Sequence, residues 1–123
     1  MSNPVPVFAA FVVVRVGAGF AATTRAPDRG EAGRIGLPGG KLDAGESALE
    51  AVMRESAEEG WRIAGVSPTP IHEATVDGRK VVWFRADSAE RLAVYKESHR
   101  IQTFVATRND VRGSGYGNDQ LPI

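Results

Sequence analysis

The sequence predicts an α+β fold, a mixed α/β domain with short hairpin connections, and three observations carry that reading. Strand-like runs rich in Val, Phe and Trp lie on both sides of one segment with clear helical period. Asp77-Gly78 joins two of those runs at hairpin spacing. With 123 residues, of which 42% are hydrophobic and 24% charged, the chain can bury one sizeable core and has no length for a second. Residues 1–123 are therefore expected to form a single domain.

In chain order, VFAAFVVVRV (residues 7–16) is almost wholly apolar, as a strand buried on both faces requires. Gly17 and Gly19 close it, and FAATTR (20–25) returns as a second strand. APDRGEAGR (26–34) has the composition of a loop, and IGLPGGKLDAGE (35–46) is a short apolar entry followed by a glycine-rich loop. From Ser47 the period changes. Leu49, Val52, Met53 and Ser56 fall on one helical face, Ser47 and Glu50 form a capping box, and Gly60 is a natural stop. WRIAGV (61–66), IHEATV (71–76) and KVVWFRA (80–86) are expected strands, the last two forming the Asp77-Gly78 hairpin. ADSAERLAVYKE (86–97) is expected as a mixed loop or short helix, IQTFVAT (101–107) as a strand, and 108–123 as one short helix and a polar tail.

Composition excludes several kinds of function. Fifteen basic residues balance fifteen acidic ones, so no global field steers the chain to nucleic acid or an anionic membrane. The absence of Cys removes disulfides, thiolate catalysis and Cys-based zinc sites, and two histidines are too few for a His-rich metal site. The longest apolar stretch, 5–14, is broken by Pro6 and followed by Arg15, too short to span a bilayer. The start MSNPVPVF lacks the basic leader of a secretory signal, and a cytoplasmic protein is expected.

The chemistry concentrates in residues 40–59, GKLDAGESALEAVMRESAEE. At about 100° per residue, Glu55, Glu58 and Glu59 fall within an arc of about 100° beside the apolar face. Two readings fit. On a solvated face, like charges at i, i+4 cost about 0.2 to 0.5 kcal/mol. Near an effective dielectric of 20, each pair about 6 Å apart would repel by roughly 3 kcal/mol, which a shared cation would relieve. Oxygen-only ligands favour Mg²⁺, or Mn²⁺, over zinc. The helix has no Lys and only one base, Arg54, unlike a face laced with salt bridges. Gly39, Gly40 and Gly45 let main-chain groups approach a phosphate beside such an ion.

Gly40, Glu46, Arg54-Glu55 and Glu58-Glu59, at fixed spacing behind the entry LPGGK, resemble the signature of the Nudix hydrolases. Six such matches arise by chance on the order of once in 10⁵ to 10⁶ chains, so coincidence is a poor explanation. Ser56 takes a place that is normally aliphatic, and Gly60 arrives one position early. The resemblance implies an α/β/α sandwich with a mixed sheet and one principal catalytic helix. It implies that Glu55, Glu58, Glu59 and the Gly40 carbonyl hold Mg²⁺, with Arg54 and Glu46 orienting them. It also implies attack of water on phosphorus in a nucleoside diphosphate linked to another moiety, a nucleoside triphosphate being one such substrate.

A general base can come from Glu58, Glu59 or a later loop, where Glu97 is preferred over Glu73 and Glu90 because KESHR precedes an expected strand. Arg25, Arg34 and Lys41 flank the phosphate loop as candidate phosphate contacts. Trp83, Phe84, Phe20 and Tyr116 are candidate stacking partners for a base, and Asn118 for its polar edge. The expected partner is a small nucleotide; a nucleic acid polymer is disfavoured by the lack of a basic stripe, and the chain is expected as a monomer or homodimer. The rival readings are a non-catalytic nucleotide-binding module and an RNA 5′-end pyrophosphohydrolase.

Overall fold

The computed structural model describes residues 5–24 and 35–123. The backbone of the chain is one long strand, β1 (Val7–Val16), around which the other strands are laid. It runs parallel to β7 (Arg79–Ala86), with Val13 opposite Arg85, and its last residues turn antiparallel into β2 (Gly19–Thr24). β3 (Ile35–Gly36) and β9 (Thr103–Ala106) pair with β2, β4 (Gly39–Lys41) pairs with β1, and β6 (His72–Val76) pairs with β7. The β6–β7 turn has φ of 51° at Asp77 and 77° at Gly78, the left-handed pair expected of an Asp-Gly hairpin.

Alternation along β1 and β7 divides the core into two layers, one on each sheet face. Ala10, Val12, Val14, Val82 and Phe84 pack with Val52 of α1 (Ala48–Glu58), Trp61 and Ile63. Ala9, Val13, Val81 and Trp83 pack on the other face with Val111 of α2 (Arg108–Arg112) and Leu121. Each layer is pinned by a buried indole: Trp61 Nε1 donates to the Ala22 carbonyl and Trp83 Nε1 to Asn118 Oδ1, both at 3.0 Å. The result is the expected α/β/α sandwich on a mixed sheet.

Ser47 caps α1 as expected, its Oγ accepting from the Glu50 N–H while Glu50 Oε1 accepts from the Ser47 N–H. The face buried by α1 differs from the expected one. Leu49 and Met53 are exposed, whereas Ala51, Val52 and Ser56 are fully buried, so the helix is rotated by about 70° toward its glutamates. Small residues let α1 lie close on β1, β4 and β5 (Trp61–Ala64), and that closeness outweighs the burial of two larger side chains.

Residues 88–91 also differ from expectation. The stretch expected as loop or short helix contains β8 (Ser88–Arg91), antiparallel to β5 with Trp61 opposite Arg91. Its polar sequence hides the strand because the pairing partner lies far away along the chain. Part of the glycine-rich loop is likewise a strand, β4.

Candidate active site

Three segments meet at the C-terminal half of α1: the glycine strand β4, the turn before the helix, and the loop between β8 and β9. Gly39 holds φ of 138°, and a Cβ there would collide with the Ala10 carbonyl and the Phe11 Cα. Only glycine can lie this close to β1, and its N–H donates to Glu59 Oε1 at 2.9 Å. Gly40 faces Glu55, where a Cβ would stand 3.0 Å from the carboxyl carbon.

Arg54 is the hub of the acids. Its Nε and Nη2 grip Glu46 Oε2 and Oε1 at 2.7 and 2.9 Å, a bidentate pair. Nη1 donates to Glu55 Oε1 at 3.0 Å and to Glu58 Oε2 at 3.3 Å, and Nη2 donates to the Lys41 carbonyl at 3.2 Å. Asp43 Oδ2 lies 3.3 Å from Nε, and the Asp43 N–H donates to Glu46 Oε1. Hydrogen bonds from Arg54 and then Asp43 hold Glu46 down to about 2. Hydrogen bonds to Glu46 and then Glu55 raise Arg54 above its usual range against the opposing effect of burial, so it is cationic at every accessible pH.

Glu55 and Glu59 are set differently. Burial pushes the Glu55 carboxyl up, with Arg54 opposing. Burial pushes Glu59 well above the usual carboxylate range; the Gly39 N–H opposes it, and Glu55, Glu58 and Glu97 add repulsion. The rotation of α1 accounts for this, because it turns both carboxylates toward the sheet instead of into solvent.

Glu97 comes to the same place. Its N–H donates to the Glu58 carbonyl at 2.9 Å, and its Oε2 accepts no hydrogen bond among the described residues, with Arg100 Nε at 3.5 Å. Lys96 Nζ donates to Glu58 Oε1 at 3.3 Å. Gly39, Gly40, Glu46, Arg54, Glu55, Glu58, Glu59 and Glu97 are thus brought together.

Other candidates fall elsewhere. Lys41 points to the opposite sheet face, its Nζ 5.4 Å from the centre of the Phe8 ring. Trp83 is fully buried and Asn118 is buried, each bonded to the other and Asn118 Nδ2 to Ser114 Oγ, so neither presents a free edge or ring face to a base. Phe20 and Phe84 are core. Tyr116 is half exposed at φ of 56° and meets Phe11 edge-on at 5.5 Å. Arg25 and Arg34 lie outside the described residues. Asp43 and Lys96 were not singled out from the sequence; the D-x-x-E step from Asp43 to Glu46 is the signal that points to the first.

As arranged, these acids do not form a closed ligand shell. Among the described residues no three Asp, Glu or His side chains meet on one point, because Arg54 Nη1 lies between Glu55 and Glu58. The chemistry nonetheless fits a hard divalent ion. Donors are all oxygen, two carboxylates are destabilised by burial, Glu97 Oε2 lacks a hydrogen bond among the described residues, and Gly40 leaves open the space over Glu55.

The same fold occurs in solved structures. MutT from the psychrofile fish pathogen Aliivibrio salmonicida and the mesophile Vibrio cholerae matches with a TM-score of 0.66 at 18% identity, over 94% of this chain and 91% of that one. A putative Nudix hydrolase family member from Chromobacterium violaceum gives 0.68 at 20%, over 97% and 77%. MutT NUDIX hydrolase from Burkholderia pseudomallei gives 0.62 at 23%, over 83% of each. Comparison with curated proteins gave no match. These likenesses define the class by fold. Residues 5–111 match the family model of the NUDIX domain, and the chain belongs to that family, whose members are hydrolases acting on pyrophosphate bonds of small nucleotides and generally use divalent metals. No described helix is long and apolar enough to cross a membrane.

Both departures from the family signature have a structural place. Ser56 is fully buried between α1 and the sheet. Gly60 holds φ of 97° directly after the helix, and a Cβ there would meet Thr103 Cγ2 and the Tyr95 ring.

Proposed function

We propose that the chain is a Mg²⁺-dependent pyrophosphohydrolase that cleaves the diphosphate linkage of a small nucleotide, a nucleoside diphosphate joined to another moiety such as a further phosphate. One observation carries the reading: Glu55 and Glu59 are held half-buried against Gly40 and Gly39, beside an arginine that is itself locked by Glu46.

Glu55, Glu58, Glu59 and the Gly40 carbonyl would hold Mg²⁺, with Mn²⁺ as a substitute. When bound, the ion neutralises pyrophosphate oxygens and lowers the pKa of a water. Arg54 and Glu46 position the ligands. The Glu46 pair fixes the guanidinium plane, and Arg54 Nη1 then sets where Glu55 and Glu58 can point. Glu97, near Glu59 and with one oxygen free of hydrogen bonds among the described residues, accepts the proton of the attacking water in this reading. Arg25 is assigned to phosphate oxygens, Lys41 being turned to the other sheet face, and Tyr116 against Phe11 to stacking of the base. Trp83 and Asn118 support that wall from within. A small-nucleotide substrate and a chain without Cys suit a cytoplasmic enzyme, monomeric or homodimeric, and no polymer is needed as substrate.

The test is release of monophosphate or pyrophosphate from a panel of nucleoside triphosphates, dinucleoside polyphosphates, nucleotide sugars, dinucleotide cofactors and capped RNA, with and without Mg²⁺. Metal-dependent cleavage of a free nucleotide is expected. Cleavage confined to capped or triphosphorylated RNA ends would replace this reading with the RNA one.

A further inference from the structure

A pocket lies on the sheet face opposite α1, toward the C-terminal ends of the parallel strands β1 and β7. Its volume is about 510 Å³, within the range of small-molecule sites, and its apolar wall includes Val13, Phe20 and Ile71. Arg15 and Arg85 border it. Val13 and Arg85 are register partners and Arg15 follows two residues along β1, so both arginines project from the same face. Their Cα atoms are about 8 Å apart by strand spacing and rise, close enough for both long side chains to reach one anion.

Neither guanidinium has an ion-pair or hydrogen-bond partner among the described residues; Arg15 Cζ instead lies 5.6 Å from the centre of the Phe20 ring. Arg54, by contrast, is fully engaged by acids. Two free guanidiniums over an apolar wall are complementary to a ligand with an anionic head and an apolar body, and Asp87 on the rim offers an acceptor for one polar hydrogen. The pocket is separate from the acidic cluster. Gly40 pairs with Ala10, five residues before Arg15, about 17 Å along β1, and Glu55 lies on the other face.

We propose that this pocket is a second binding site, for a small organic anion with an apolar body, held at its carboxylate or phosphate by Arg15 and Arg85. The test is calorimetric titration of the metal-free chain with phenyl phosphate and with benzoate, the two arms separating phosphate from carboxylate preference. At least one is expected to bind with Kd below about 10 mM, weakened about tenfold or more in both Arg15→Gln and Arg85→Gln, as loss of a charge-assisted hydrogen bond requires. Binding of neither probe, or binding that either substitution leaves unchanged, overturns the proposal. Side-chain Nε–H resonances in the unaltered chain keep the test open if a variant misfolds: Arg15 and Arg85 are expected to shift on addition of the probe, and still signals at both would refute the site.

Discussion

Gly39 and Glu59, twenty residues apart, meet where β4 passes the end of α1, the Gly39 N–H donating to Glu59 Oε1 at 2.9 Å. The last glutamate of the cluster is thereby tied to the sheet by main chain, and it has little freedom to escape the burial that raises its pKa.

Glu59→Gln is expected to lower turnover by about 10² to 10⁴-fold at saturating Mg²⁺ while the chain stays folded, because the amide keeps the acceptor for Gly39 and loses the charge. Steady-state rates with circular dichroism check both halves. A rate equal to that of the parent would remove Glu59 from the site.

Stability of the metal-free chain is expected to fall as pH rises above the ordinary carboxylate range. Glu55 and Glu59 bind protons more tightly folded than unfolded, so their contribution is complete below the unfolded pKa and disappears as pH climbs through the raised folded values. Glu46 acts oppositely, contributing above its unfolded value and losing that contribution as pH falls toward about 2. Melting curves at about pH 5 and about pH 8 test the first trend, with Glu59→Gln flattening it.

Arg54→Lys is expected to reduce kcat about 10- to 100-fold, because an ammonium cannot grip Glu46 bidentately and still reach Glu55 and Glu58. Apparent Mg²⁺ affinity should weaken along with rate. If kcat and metal affinity are both unchanged, the positioning role fails.

The two glycines should respond differently to alanine. At Gly40 the Cβ meets only the far end of the Glu55 side chain, so Gly40→Ala should fold and bind Mg²⁺ more weakly. At Gly39 it meets backbone at a φ of 138°, so Gly39→Ala should lower Tm steeply. Thermal melts and Mg²⁺ titrations of the pair distinguish the cases.

Ser56→Ala is expected to stabilise the chain by about 1 kcal/mol, since Ser56 Oγ is buried without a partner among the described residues and Ala is the better helix former. A lower midpoint in urea than the parent's would contradict this.

The sequence made the local features legible: the capping box of Ser47 and Glu50, the Asp77-Gly78 turn and the double-faced β1 are each decided within a few residues. Glu55, Glu58 and Glu59 were legible as a group because they lie on the last turns of one helix and its cap. Features set by distant partners were not. β8 exists only through β5, and the rotation of α1 depends on how closely small residues approach the sheet. Glu97 could be singled out but not located, since its tie is to the Glu58 carbonyl across 39 residues. Trp83 and Asn118 are candidate base contacts by residue type, but their pairing across 35 residues spends both inside the molecule.

The two indoles, Trp61 and Trp83, lie fully buried in different layers of the sandwich. Each sheet face thus carries its own intrinsic fluorophore. With either one replaced by Phe, the remaining emission would follow the loosening of one layer alone, and a lag between the two signals during denaturation would reveal which side of the molecule gives way first.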